Sequence, residues 1–230
     1  MPKRNLELLT DAAELLRPVL DDLVFVGGCA TALLITDQGA AEVRPTFDVD
    51  AIAEITSYAD YVLFSERLRR LGFTEDTSEG APLCRWLKAT TTLDVMPLDE
   101  KILGFSNRWY KPAMEFSGQR TLKPGLSIRV VTAPYFCATK LEAFKGRGRD
   151  DYWSSHDLED LIAVIDGRQE LVDELSDAPE DVRSYIASEF KRLLRIDVFI
   201  DALPGYLLPD AISQARIGLL LERLKAIATL

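Results

Sequence analysis

The sequence predicts an α+β protein: a mixed β-sheet core flanked by helices, followed by a helical C-terminal portion. Three observations predict it. Strand-like and helix-like patterns alternate from Leu23 to Asp94, a β-like stretch punctuated by Pro112, Gly118, Pro124 and Gly125 runs from Ile102 to Val131, and apolar residues recur at helical spacing after Pro134. The change of pattern divides the chain into a core over 1–132 and a helical domain over 133–230. A chain of 230 residues is long enough to bury a sizeable interior.

Leu6, Leu9, Ala13, Leu16 and Val19 are spaced as the buried stripe of an opening helix. Leu23-Val24-Phe25-Val26 reads as a strand, Gly27-Gly28 as a turn, and Ala30 to Ile35 as a helix. Thr46 to Ile52 reads as the next strand. Tyr61, Val62, Phe64, Leu68 and Leu71 then mark a helix that stops at Gly72, and Thr90 to Val95 a further strand, with Gly72 to Thr74 and Cys84 to Leu87 as edge pieces. Ser127 to Val131 is the best strand of the β-like region. Pro134 suits the first turn of a helix running through Lys145. Helices are expected from Asp157 to Ile165, Glu170 to Leu175, Pro179 to Phe199 and Pro209 to Ala228, the last with an apolar stripe through Ile212, Leu220 and Leu224.

The stretch that promises chemistry is Thr46-Phe47-Asp48-Val49-Asp50. Side chains two apart on a strand share a face about 6.6 Å apart, so Asp48 and Asp50 project together while Phe47 and Val49 are expected in the core. Asp94, between Leu93 and Val95, completes a trio if its strand pairs about 4.8 Å away from the first. Hard oxygen ligands gathered so closely repel one another unless a cation joins them, the signature of a magnesium site serving phosphates. The same alternation also describes a strand with one wet face. A strand entering a helix through Gly27-Gly28 would offer backbone N–H groups and the positive helix end to an anion.

Composition narrows the classes. Lys3 and Arg4 lead into Asn5, Glu7, Asp11 and Glu14 in place of an apolar leader, and the apolar run from Leu23 to Ile35 is too short to span a bilayer, so a cytoplasmic protein with no membrane partner is expected. Cys29, Cys84 and Cys137 are odd in number and set among apolar or small residues, which predicts packed thiols; a single histidine excludes a His-rich zinc site. A net charge of −10 argues against broad nucleic-acid affinity, yet residues 101–149 hold ten basic side chains against two acidic ones. That segment is expected to supply a basic surface for a triphosphate or an RNA backbone.

The order of apolar strand, Gly27-Gly28, helix, Thr46-x-Asp48-x-Asp50 and a later Asp94 resembles the nucleotidyltransferase superfamily typified by DNA polymerase β. VGGCATALL followed by RPTFDVD is most similar to AbiEii/AbiGii-type toxin nucleotidyltransferases, and Lys140, Arg147 and Asp157-Leu158 resemble that family's helical lysine, arginine and D-L element. The resemblance spans roughly residues 20 to 165. It implies a nucleotidyltransferase-type fold and an enzyme that moves a nucleoside monophosphate from an NTP to an acceptor hydroxyl with release of pyrophosphate.

The roles implied are specific. Asp48 and Asp50, with Asp94, would hold magnesium, two ions in all; Gly27 and Gly28 would cradle the β,γ-phosphates; Thr46 would add a hydroxyl contact. Lys140 would neutralise the leaving pyrophosphate with help from Arg147, and Asp157 would orient the lysine or the acceptor. Many members carry Gly-Ser where Gly28-Cys29 stands here, which leaves phosphate contact to backbone amides. The toxin branch implies RNA as acceptor, the 3′ end of a transfer RNA among its forms, and an antitoxin as protein partner. A small-molecule acceptor and a catalytically silent nucleotide-binding protein are the competing readings. Without the family, Phe136, Lys140, Ala143 and Phe144 share one side of a helix, which sets the ammonium at the margin of an apolar face, against phosphate or in an internal pair with Asp157.

Overall fold

The computed structural model describes residues 2–148 and 150–230, so Arg149, counted above in the basic segment, lies outside the described residues. The chain forms two compact units: one runs to Ala32 and resumes over Arg44–Thr132, the other comprises Leu33–Val43 and Ala133–Leu230.

The first unit is a seven-stranded mixed sheet with helices α1 (Pro2–Leu15), α3 (Tyr58–Arg70), α4 (Glu100–Leu103) and α5 (Tyr110–Glu115), together with the start of α2 (Gly27–Leu34). Its strands are β1 (Leu23–Val26), β2 (Asp48–Ala53), β3 (Thr74–Glu75), β4 (Arg85–Lys88), β5 (Thr91–Met96), β6 (Gly118–Lys123) and β7 (Leu126–Val130), in the order β3-β4-β5-β2-β1-β7-β6. β1 runs antiparallel to β2 and parallel to β7, while β2 and β5 are parallel. Every residue of β1 is buried, as a run of Leu, Val, Phe and Val in a central strand covered on both faces requires. Leu9, Ala12, Ala13 and Leu16 of α1 are fully buried, and that helix packs across β2, β5 and β7. The Ser57 hydroxyl caps α3 by accepting the Asp60 N–H.

The second unit is helical: α6 (Ala133–Arg147), α7 (His156–Gly167), α8 (Leu171–Ser176), α9 (Glu180–Leu193), α10 (Asp197–Ala202), α11 (Ala211–Gln214) and α12 (Ile217–Ile227). α6 packs on α7, α8 and α9, and α12 on α7, α8 and α9. Residues 33–43 belong here by hydrogen bonding. The Gly167 carbonyl accepts the N–H groups of Thr36 and Asp37, and the Leu34 carbonyl accepts from Arg168 Nη1 at 2.7 Å. Arg216 ties Asp37 to Asp166 from the other side, at 2.7 and 2.9 Å.

Five expectations are corrected. Phe47 does not enter the core: it is 71% exposed, with the Arg4 guanidinium over its ring, because β2 begins only at Asp48 and the preceding residues are outside the ladder that sets alternation. The β-like reading of 102–116 gives way to α4 and α5: Asp99 caps α4, and Pro112 sits in the first turn of α5, where its missing N–H costs no bond. The helix expected from Pro179 to Phe199 breaks between α9 and α10, and the one expected from Pro209 breaks between α11 and α12, where Arg216 turns to its carboxylates. Ile212, assigned to the buried stripe, is 78% exposed, while Leu220 and Leu224 are fully buried.

Candidate active site

In the first unit the acids stand where strand pairing puts them. Asp50 on β2 is in parallel register with Asp94 on β5, and Asp48 with Thr92, so all three carboxylates issue from one face of two adjacent strands. Val49 between the acids is fully buried on the opposite face. Asp94 is itself buried, and its neighbours Leu93 and Val95 close the strand from below. Asp48 is oriented by Thr46, whose Oγ1 donates to Asp48 Oδ1 at 2.8 Å, while the Thr46 N–H donates to Asn5 Oδ1 at 3.1 Å. Thr46 therefore holds a carboxylate; it is buried and turned toward the acid.

Gly27 lies directly under Asp50. A Cβ added to Gly27 would meet Asp50 Oδ2 at 1.9 Å, and the residue sits at φ +68°, a conformation L side chains rarely adopt. The double glycine thus begins α2 and lets a carboxylate approach its backbone. Cys29, one residue further, is fully buried and its thiol donates back to the Val26 carbonyl at 3.2 Å. Burial pushes the Cys84 thiol up to about 12, reinforced by Asp94 and Asp50, so it stays protonated.

A residue that sequence reasoning missed completes the cluster. Arg85, the antiparallel partner of Asp94 on β4, donates from Nε to Asp94 Oδ1 and from Nη2 to Asp94 Oδ2, both at 2.8 Å. The same Nη2 lies 3.0 Å from Asp48 Oδ2, so the guanidinium reaches over β5 to an acid on β2. Bonding to Asp94 raises the pKa of Arg85 despite its desolvation. The signal was thin: Cys84 to Leu87 reads as an edge strand, but which acid Arg85 faces depends on a register the sequence does not declare.

Among the described residues no group of three or more His, Cys, Asp and Glu side chains is arranged to hold a metal ion. Asp48 and Asp94 close instead on Arg85, which stands in for a cation. The donor chemistry fits a hard divalent ion, since carboxylate oxygens on one sheet face are the ligands magnesium takes. The charge such an ion would meet is already partly balanced.

The second unit gathers the other expected residues. Lys140 is buried on α6, with Nζ 2.6 Å from Asp160 Oδ2 and 3.2 Å from Asp157 Oδ1 on α7. Arg147 adds a two-point contact to Asp157 at 2.9 Å from Nε and Nη2. The internal pair of Lys140 with Asp157 is present, and it extends to Asp160. A helix carries residues three apart on one side, so Asp157-x-x-Asp160 was a readable signal for the second acid. Much of the basic segment is likewise engaged: Lys123 with Glu14, Lys145 with Glu189, and Arg129 with the carbonyls of Asp21 and Met114.

Burial pushes the Asp157 carboxyl upward, but Arg147 and Lys140 more than cancel it and hold it below the usual carboxylate range. A carboxylate depressed in the folded state contributes stability above its unfolded pKa of about 3.9 and loses it as pH falls through the folded value. Asp157→Asn should therefore be less stable than the parent at pH 7, and the gap should narrow below about pH 4 and close in stronger acid. Denaturant unfolding of both chains across that range checks this; a gap independent of pH would contradict it.

The chain matches no protein-family model. No curated protein matches it. Among solved structures, that of an antigenic nucleotidyltransferase-like protein from Paracoccidioides brasiliensis is similar: it is 17% identical, the match covers 88% of this chain and 93% of the other, and the TM-score is 0.47. At that distance the likeness brings no chemistry with it. Among the described residues no helix is long and apolar enough to cross a membrane.

Proposed function

We propose that the acid-bearing face of the first unit is a magnesium-dependent nucleotidyl-transfer site, which takes a nucleoside monophosphate from an NTP and places it on an acceptor hydroxyl. The observation that carries this reading is the register of Asp50 with Asp94, two residues beyond Asp48 and directly over Gly27. Asp48, Asp50 and Asp94 would hold the metal. Magnesium bound there supplies charge at the phosphoryl oxygens and lowers the pKa of the attacking hydroxyl.

The chain's own residues prepare that chemistry. Thr46 holds the Asp48 carboxylate in one rotamer, Arg85 holds both oxygens of Asp94, and Gly27 keeps the space in which the Asp50 carboxylate lies. Preset orientation matters because reacting groups then need no reorganisation during transfer. As acceptor we propose RNA, in the manner of the toxin branch that the sequence resembles, with an antitoxin as its protein partner. Exposed Lys101, Lys111 and Arg120 on the first unit support a polyanionic acceptor.

The test is incubation of the full chain with each α-labelled NTP, magnesium and total RNA, beside the Asp48→Ala, Asp50→Ala double variant. Label entering RNA only with the parent chain is the expected result. Label found solely on an added small molecule would replace the acceptor assigned above, and no label anywhere would overturn nucleotidyl transfer.

A further inference from the structure

Arg85 is not among the residues a nucleotidyl-transfer site demands, yet it grips two of the three acids. Its Nε and Nη2 hold Asp94 Oδ1 and Oδ2 at 2.8 Å each, and Nη2 also meets Asp48 Oδ2 at 3.0 Å. The contact is sheltered: the side chains of Arg85 and Asp94 are 24% and 10% exposed. Position reinforces it, because Arg85 and Asp94 are direct cross-strand partners and the backbone aims the guanidinium at the acid face.

Resting on the function proposed above, we infer that Arg85 is a built-in competitor for the divalent cation. It occupies lone pairs of Asp48 and Asp94 that a metal would need, and its positive charge opposes an arriving cation. Metal loading therefore requires the guanidinium to give up its hold on Asp48, on Asp94 or on both. The same grip holds Asp48 and Asp94 side by side, since one guanidinium bridges two carboxylates that would otherwise repel.

The test reads metal binding directly. Mn²⁺ is titrated into the full chain, with free Mn²⁺ followed by electron paramagnetic resonance, for the parent, Arg85→Gln, Arg85→Lys and the Asp48→Asn, Asp50→Asn double variant. The expected result is Mn²⁺ binding at least about tenfold tighter in Arg85→Gln than in the parent, with Arg85→Lys between them because an ammonium cannot span both acids. The Mn²⁺-induced rise in melting temperature should be larger in Arg85→Gln, a difference that a purely structural arginine would not produce. If Arg85→Gln does not fold, Arg85→Lys alone carries the comparison. Binding that is lost in the double variant but is equal or weaker in the Arg85 variants would overturn the competition and leave the metal site standing. No saturable Mn²⁺ binding by any chain would overturn both.

Discussion

Lys140→Met is expected to destabilise the helical unit by about 3–5 kcal/mol, the range seen when one partner of a buried ion pair is removed. Lys140 and its two acids are each less than a tenth exposed, so water does not replace the ammonium. Asp157 keeps Arg147 after the substitution, but the Asp160 contact at 2.6 Å is lost at a residue only 2% exposed. The loss should therefore come mainly from Asp160. Adding Asp160→Leu should recover part of it, because an apolar pair of similar volume takes a buried carboxylate away from the new apolar side chain. Urea unfolding followed by far-ultraviolet circular dichroism measures both variants. A loss in Lys140→Met that Asp160→Leu does not relieve would mean that the lysine stabilises through packing, its contact with the Phe136 ring included.

Gly27→Ala is expected to cost about 2–5 kcal/mol, the sum of a left-handed backbone and an overfilled contact. The added methyl would stand 1.9 Å from Asp50 Oδ2 and 2.8 Å from its Cβ, so the carboxylate must leave its place. Gly125→Ala separates the two causes: it too has positive φ, +75°, but nothing lies within 4 Å of its Cβ, and it should cost only about 1–2 kcal/mol. Equal losses in the two variants would show that Asp50 moves aside freely. Under the proposed function, Gly27→Ala should also lose nucleotidyl transfer while Gly125→Ala keeps it.

Both substitutions probe features that were unequally readable in advance. The Asp48 and Asp50 pair was legible because strand geometry is strict: a period of two puts both on one face, whereas Asp94, in a second β-branched run, joins them only if its strand pairs alongside. Arg85 was not legible, since its partner is chosen by cross-strand register, and a slip of one residue would turn it away. Phe47 misled because alternation holds only inside a hydrogen-bonded ladder, and it lies one residue outside β2. The helices α4 and α5 were hidden because segments this short are stabilised by caps and packing more than by periodicity.

Local rules that act within a few residues were enough to determine the alternation of strands and helices from Leu23 to Asp94, the shared face of Asp48 and Asp50, the glycine at the head of α2 and the helical character of the chain's last part. The tertiary structure alone decided which charges meet. It set Asp94 beside Asp50, closed Arg85 over Asp48 and Asp94, and drew Lys140 between Asp157 and Asp160. The reason is physical: a side chain's own neighbours fix its direction, but its counter-ion comes from a distant segment whose position depends on the packing of the whole unit.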